Sequence, residues 1–334
     1  MNRNRFFVIV LGLMALAGGC KKQEASTPTG GTGAAGPRKI VIGIIAKSSS
    51  NEVFQAAHVG AQDAAKTLGP KFGAEVTIDI RTPTDENVQK QAEAIEALTR
   101  AGVNGIAIAC SEGKTVEQPI NAAVDAGVPV VCFDSDSPGS KRLCYYGTND
   151  AEAGKMVMQN LAQAMGGKGV IAILAGNEAA PNLRARAEGV RAELKNHPGI
   201  RELASGAVYH IETPEAAAQK VQDVQRNNPE ITGWAFIGGW PLFTRNALNW
   251  EPGAVKVVSV DALPAMLPYL QDGHVEILLA QDCYGWGYKS VEILLEKIVN
   301  DQNPPEDKMI DPLTPVTKEN AEEFGKQWDK WLKK

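Results

Sequence analysis

The 334-residue chain has a net charge of −5 and scattered basic residues, so it presents no basic patch of the kind that nucleic acids require. Beyond a short N-terminal apolar run, no segment approaches membrane-spanning length. The five cysteines fit no zinc spacing, and the four histidines (His58, His197, His210, His274) are isolated, which excludes the common metal-site patterns.

The N-terminus reads as an address. Arg3 and Arg5 precede an apolar run from Phe6 to Ala17, followed by Gly18-Gly19-Cys20. A basic start, a short apolar run and small residues before a cut are the parts of a secretory signal. The run is about 12 residues, short of the ~20 needed to cross a bilayer. The Gly-Gly-Cys step resembles a bacterial lipobox, although Ala17 stands where that motif usually has leucine. Residues 1–19 are therefore expected to be a signal peptide and Cys20 the acylated first residue of the mature chain. Residues 20–37, rich in Gly, Ser, Thr, Ala and Pro, read as a flexible tether with no apolar face to bury. Gly31-Thr32-Gly33-Ala34-Ala35-Gly36 spells a dinucleotide fingerprint, but it precedes the first strand, where no helix N-terminus exists to meet a pyrophosphate.

Roughly 297 residues remain, enough for two ordinary domains. From Lys39 onward short apolar strands alternate with amphipathic helices, the pattern of a parallel sheet with crossover helices. Strands are expected at 40–46, 75–80, 105–110 and 128–133, then at 169–174, 206–210, 234–237, 255–260 and 277–280. Between them Ala57, Ala61, Ala64 and Leu68 share one helical stripe, as do Val88, Ala92, Ile95 and Leu98. The series pauses at Leu143–Asp150 (LCYYGTND) and restarts, which divides the chain into two α/β lobes rather than one long sheet. Among the cysteines, Cys110 and Cys132 lie in apolar runs and read as small core residues. If export brings a disulfide, Cys132 with Cys144 is the best pair.

In doubly wound folds ligands bind outside the carboxyl ends of the strands. The residues that follow the strands are Lys47 to Phe54, Asp134-Ser135-Asp136, Arg184 and Arg186, Asp261, and Gln281-Asp282. Carboxylates, an arginine and side-chain amides in one cleft supply the charge-assisted hydrogen bonds that suit vicinal hydroxyl groups. Each residue also has a plain structural use. Asn51 can cap the next helix, Asp134 can close a turn, Arg186 can be solvated with Arg184 facing the site instead, and Trp240 can be ordinary packing. Phe133 and Trp286 read as core.

The ordered set SNEVFQAAHVGAQDAAKTLG, PVVCFDSD, RARAEGV, VVSVDA and LLAQD resembles the ribose-type periplasmic sugar-binding proteins that feed ABC importers, over about residues 39–334. The resemblance implies a type I periplasmic binding protein: α/β, with two doubly wound Rossmann-like lobes joined by a three-strand hinge and closing on a monosaccharide. It implies an N-lobe of 38–147 plus 282–308 and a C-lobe of 148–281 plus 309–334. The crossings fall near Gly147–Asn149, Gln281–Asp282 and Lys308–Asp311. It carries ligand-binding roles onto Asn51, Phe54, Asp134, Arg186 (in Arg-x-x-Gly with Gly189), Asp261 and Gln281. There are departures. Glu52-Val53 replaces a Pro-Phe, Ser135 replaces an arginine, and Gly239-Trp240 stands where Asn-Asp is common. Lys47 takes the place of a small hydroxyl residue. Together they point away from ribose towards another pentose, a hexose or a sugar derivative, and Lys47 leaves room for an acidic sugar.

The resulting expectation is a monomeric, lipid-anchored extracytoplasmic protein that delivers a sugar to an ABC permease, with no cofactor and no catalysis. Two alternatives remain open: a sugar-active lyase or isomerase on the same scaffold, and a ligand carrier for a chemoreceptor. Gly113-Lys114-Thr115 follows a strand as the tail of a phosphate loop would, but Ile108 fills the first-glycine position. No Gly-x-Ser-x-Gly elbow is present. A sugar repressor of similar fold would need a DNA-binding headpiece where the signal and tether stand.

Overall fold

The computed structural model describes residues 36–332, and every count below is of these residues. The signal and Cys20 lie outside them. The first lobe is laid down as β1 (Arg38–Ile45), α1 (Glu52–Leu68), β2 (Ala74–Ile80), α2 (Val88–Arg100), β3 (Gly105–Ile108), α3 (Gly113–Asp125), β4 (Val130–Phe133) and β5 (Cys144–Gly147). The second follows as α4 (Asp150–Ala164), β6 (Gly169–Gly176), α5 (Pro181–Leu194), β7 (Ile200–Glu202), β8 (Val208–Tyr209), α6 (Pro214–Asn227), β9 (Gly233–Phe236), β10 (Lys256–Val260), α7 (Leu267–Gln271) and β11 (Ile277–Ala280). The chain ends with α8 (Cys283–Asn300), β12 (Lys308–Ile310), β13 (Thr314–Val316) and α9 (Ala321–Trp331).

Local chemistry sets these boundaries. Asn51, Asn87, Asn149, Thr213 and Asp282 cap the helices that follow them, each accepting from a backbone N–H of the first turn. Pro181 and Pro214 open their helices, where a missing N–H costs nothing. In β1 the side chains alternate between two cores: Ile42 and Ile44 join the larger cluster while Ile45 joins the one beneath α2 and α3. Both sheet faces are therefore covered, as a parallel sheet requires.

The first sheet has six strands in the order β12-β5-β4-β3-β1-β2, all parallel. The second has seven, ordered β13-β11-β10-β9-β6-β7, with β8 also on β6 and only β13 antiparallel. The chain passes between the sheets after β5, after β11 and between β12 and β13. Buried Arg142 ties the start of β12 to the first lobe, donating to Asp136 Oδ2 at 2.8 Å and to Asp307 Oδ1 at 2.6 Å.

The structure corrects several expectations. The strand expected at 206–210 shrinks to Val208–Tyr209, which joins β6 across a register break. The pause at 143–150 contains β5, and β7, β12 and β13 are additional. Cys110, Cys132, Cys144 and Cys283 are all free and buried, so Cys132 and Cys144 form no disulfide. Cys132 Sγ faces Cys110 Sγ at 3.8 Å instead.

Candidate binding cleft

The two sheets turn their carboxyl ends towards one another, and the loops that leave those ends build the site. On the first lobe, Lys47 lies two residues past β1. Its loop is anchored by Gln91, a fully buried residue of α2 that donates to the carbonyls of Ala46 (3.0 Å) and Ala109 (2.8 Å) and accepts from the N–H of Ser111 (2.9 Å). Lys47 Nζ stands 3.6 Å from Asp134 Oδ2 and donates to Asn182 Oδ1 of the opposite lobe at 3.3 Å. Burial opposes the lysine charge, but Asp134, Glu212 and Glu86 together outweigh it and raise its pKa. Asp134 is the first residue past β4, with φ at 55°. Its carbonyl accepts from the hydroxyl of Tyr145, which also reaches the carbonyl of Thr148.

On the second lobe, Arg186 occupies the second turn of α5 and is buried, whereas Arg184 is exposed. The glycine of the Arg-x-x-Gly motif explains its placement. A Cβ at Gly189 would lie 2.1 Å from the Ala151 carbonyl oxygen, and one at Gly154 would lie 1.9 Å from that of Arg186. Two bare glycines thus let α4 and α5 touch, which brings Arg186 onto Asp150. The guanidinium donates to Asp150 Oδ1 (2.8 Å), the carbonyl of Ile237 (3.1 Å) and Gln281 Oε1 (2.8 Å). Gln281 donates in turn to Asp261 Oδ1 at 2.8 Å, and Asp261 Oδ2 accepts from the N–H of Gly239 at 3.0 Å. Thr148, on the first crossing, donates to Gln281 Oε1 at 3.1 Å. Burial raises the pKa of Asp261, and it lifts Asp150 to about 6 despite the facing arginine.

All eight residues singled out from the sequence line one chamber: Lys47, Asn51, Phe54, Asp134, Arg186, Trp240, Asp261 and Gln281. Asn51 does so while also capping α1, through an acceptor contact to the Val53 N–H. Sequence reasoning missed Asn182, Glu212 and Trp286 in the wall and Asp150 behind Arg186. Trp286, read as core, is 1% exposed yet borders the chamber, its ring centroid 6.1 Å from that of Phe54. Only Asp150 carried a signal, a carboxylate in the first turn of a helix; Trp286 carried none. Lys47 is not a free cation awaiting an acidic sugar, because Asp134, Asn182 and nearby Glu212 already engage its charge.

In this conformation the chamber measures about 40 Å³, too small for a molecule much larger than water. Its aromatic rings supply flat apolar surface and its charged groups supply directional partners, a combination suited to a ring with polar edges. No group of side chains suited to a metal ion occurs among the described residues, and no helix there is long and apolar enough to cross a membrane. Lys114, of the phosphate-loop lookalike, points to solvent and pairs with Glu117.

Two α/β lobes joined by three crossings over a polar chamber define a hinged binding protein. A profile for the periplasmic binding protein domain matches residues 42–302, and the chain belongs to that family. It is thus a binding protein and not an enzyme, and the family places it outside the cytoplasm. A D-ribose/D-allose-binding protein of Pseudomonas aeruginosa is 26% identical over 252 residues, 72% of this chain and 76% of that one. A xylose/arabinose-binding protein of Sulfolobus acidocaldarius is 22% identical over 261 residues, 72% of this chain but 61% of the archaeal protein. An ABC transporter solute-binding protein of Burkholderia graminis, solved in complex with D-arabinose, superposes with a TM-score of 0.76 at 29% identity, covering 85% of this chain and 97% of that one.

Proposed function

We propose that this protein captures a monosaccharide or sugar derivative between its lobes and delivers it to the permease of an ABC importer. The observation that carries the reading is the bonded series Asp150–Arg186–Gln281–Asp261, which faces Asn51 and Asp134 across the chamber. A series of alternating donors and acceptors can trade its internal bonds for those of a polyol without leaving a charge unpaired. The pentose and hexose names carried by the relatives support the same class of ligand. The moving bodies are residues 38–147 with 282–310, because β12 pairs with β5 along its whole length, and residues 148–281 with 311–332. Ligand binding favours their closure, and the closed pair is the surface that the permease reads.

The mature protein is a monomer held at a membrane through acylated Cys20 and the tether behind it. One acyl chain binds a membrane only marginally, so stable anchoring takes more than one. Mass spectrometry of the native N-terminus tests this part, and an unmodified Cys20 refutes it. A thermal-shift screen against pentoses, hexoses, polyols and sugar acids tests the ligand class. A tight ligand at ~1,000-fold excess over its dissociation constant stabilises by about 4 kcal/mol. A screen in which no sugar or polyol raises the midpoint refutes the reading.

A further inference from the structure

Beyond Lys47 the cleft widens into a vestibule of about 740 Å³, which shares Lys47, Asn51, Phe54 and Glu212 with the chamber. Four carboxylates line it: Asp85 and Glu86 after β2, Glu178 after β6 and Glu212 after β8. The lysine among them is already held by Asp134 and Asn182. Two buried polar atoms of the vestibule wall, Glu86 Oε1 and His210 Nε2, have no hydrogen-bond partner among the described residues.

The chemistry of both atoms points the same way. His210 Nδ1 stands 2.8 Å from the carbonyl oxygen of Ile211, so that nitrogen carries the proton and donates. Burial holds the ring below its usual pKa, which keeps it neutral at pH 7 and leaves Nε2 as an acceptor. Glu86 Oε1 accepts as well. Glu86 and Glu212 also reach the cleft from opposite lobes and repel one another: burial, resisted by Lys47 and reinforced by Glu86, lifts Glu212 to about 7. A neutral hydroxyl could satisfy one acceptor, but only a cationic donor also relieves the repulsion that accompanies closure. Tyr209 and Ile211, 38% and 76% exposed on the same wall, offer apolar surface for a short carbon linker.

We propose that the ligand is a sugar bearing a protonated amine, its ring in the chamber and its ammonium group in the vestibule between Glu86 and His210 Nε2. This rests on the reading of the chamber as a sugar site. Calorimetry on the mature chain tests it with D-arabinose, D-ribose, D-glucose and D-galactose, and with the aminoethyl and hydroxyethyl glycosides of each. The aminoethyl glycoside is expected to bind at least ~10-fold tighter than its hydroxyethyl counterpart, an advantage that shrinks with added salt. Glu86→Gln should abolish that advantage, read as the ratio of the two glycoside affinities within the variant, because any indirect effect through Lys47 falls on both glycosides alike. Equal affinities for the two glycosides, or an advantage that survives Glu86→Gln, overturns the proposal. If amine glycosides bind and no free sugar does, the chamber reading fails and the vestibule stands; if nothing binds, both fail.

Discussion

Asp134 and Asp261 each follow a strand with positive φ, 55° and 74°, a region that most side chains enter only at a cost of ~1–2 kcal/mol and that Asp and Asn tolerate best. The left-handed turn aims each carboxylate into the cleft. Asp134→Asn keeps the backbone tolerance and removes the charge. We expect it to retain its melting temperature within a few degrees and to lose ~2–4 kcal/mol of ligand affinity, roughly 30- to 1,000-fold. Asp134→Ala should lose the same affinity and, in addition, ~1–2 kcal/mol of stability from the strained turn. Calorimetry and thermal unfolding on the two variants separate the effects, and unchanged affinity in both would mark Asp134 as structural. Glu212 supplies the pH test. Its folded pKa of about 7 lies above its ordinary 4.5, so the folded state holds the extra proton and stability falls as pH rises through that window. Glu212→Gln mimics the protonated acid and still accepts from the Asn177 N–H, which wild-type Glu212 Oε1 meets at 3.0 Å. The variant should therefore melt with wild type near pH 4.5 and above it at pH 8. His58, lowered to about 4 by burial, adds a slope of opposite sign that cancels in this difference. The same melting difference at both pH values would refute the assignment.

At the scale of elements, the contact of α4 with α5 is the joint that seats Arg186. Gly189→Ala places a Cβ 2.1 Å from the Ala151 carbonyl oxygen, so the helices must separate. Overpacking of this kind costs ~1–3 kcal/mol, and the shift should draw Arg186 off Asp150 and Gln281. We expect the denaturant midpoint and the ligand affinity to fall together; loss of stability with affinity intact would show that Arg186 does not depend on the joint. This joint also marks where the sequence stops being legible. The βα alternation is readable because β1, β6 and β10 are apolar runs buried on both faces, and α1 shows its stripe of small residues. β12 is mostly exposed, and β5 is four residues with two tyrosines, so neither shows a strand period. The chamber residues stand out because they follow strands. Asp150, Asn182 and Gln91 do not, because their roles depend on partners 36, 135 and 45 residues away. Their types fit helix starts and surfaces equally well.

At the scale of the molecule, the two walls of the cleft differ in kind. The second lobe's wall is a bonded network from Asp150 through Arg186 and Gln281 to Asp261, complete within that lobe and its crossing. The first lobe's wall relies on Lys47, a long side chain whose direct contacts are Asp134 at 3.6 Å and, across the cleft, Asn182. Gln281 sits on a crossing, so rotation of the lobes about it leaves the second wall assembled. That asymmetry has a consequence in time. A ligand diffusing into the parted cleft meets one surface that is already set and one that arrives only with closure. Stopped-flow fluorescence with Trp240 and Trp286 in the wall should then show Asp261→Asn slowing the association rate, while Asp134→Asn mainly hastens release. The second lobe decides how often a passing molecule is caught, and the first decides how long it stays.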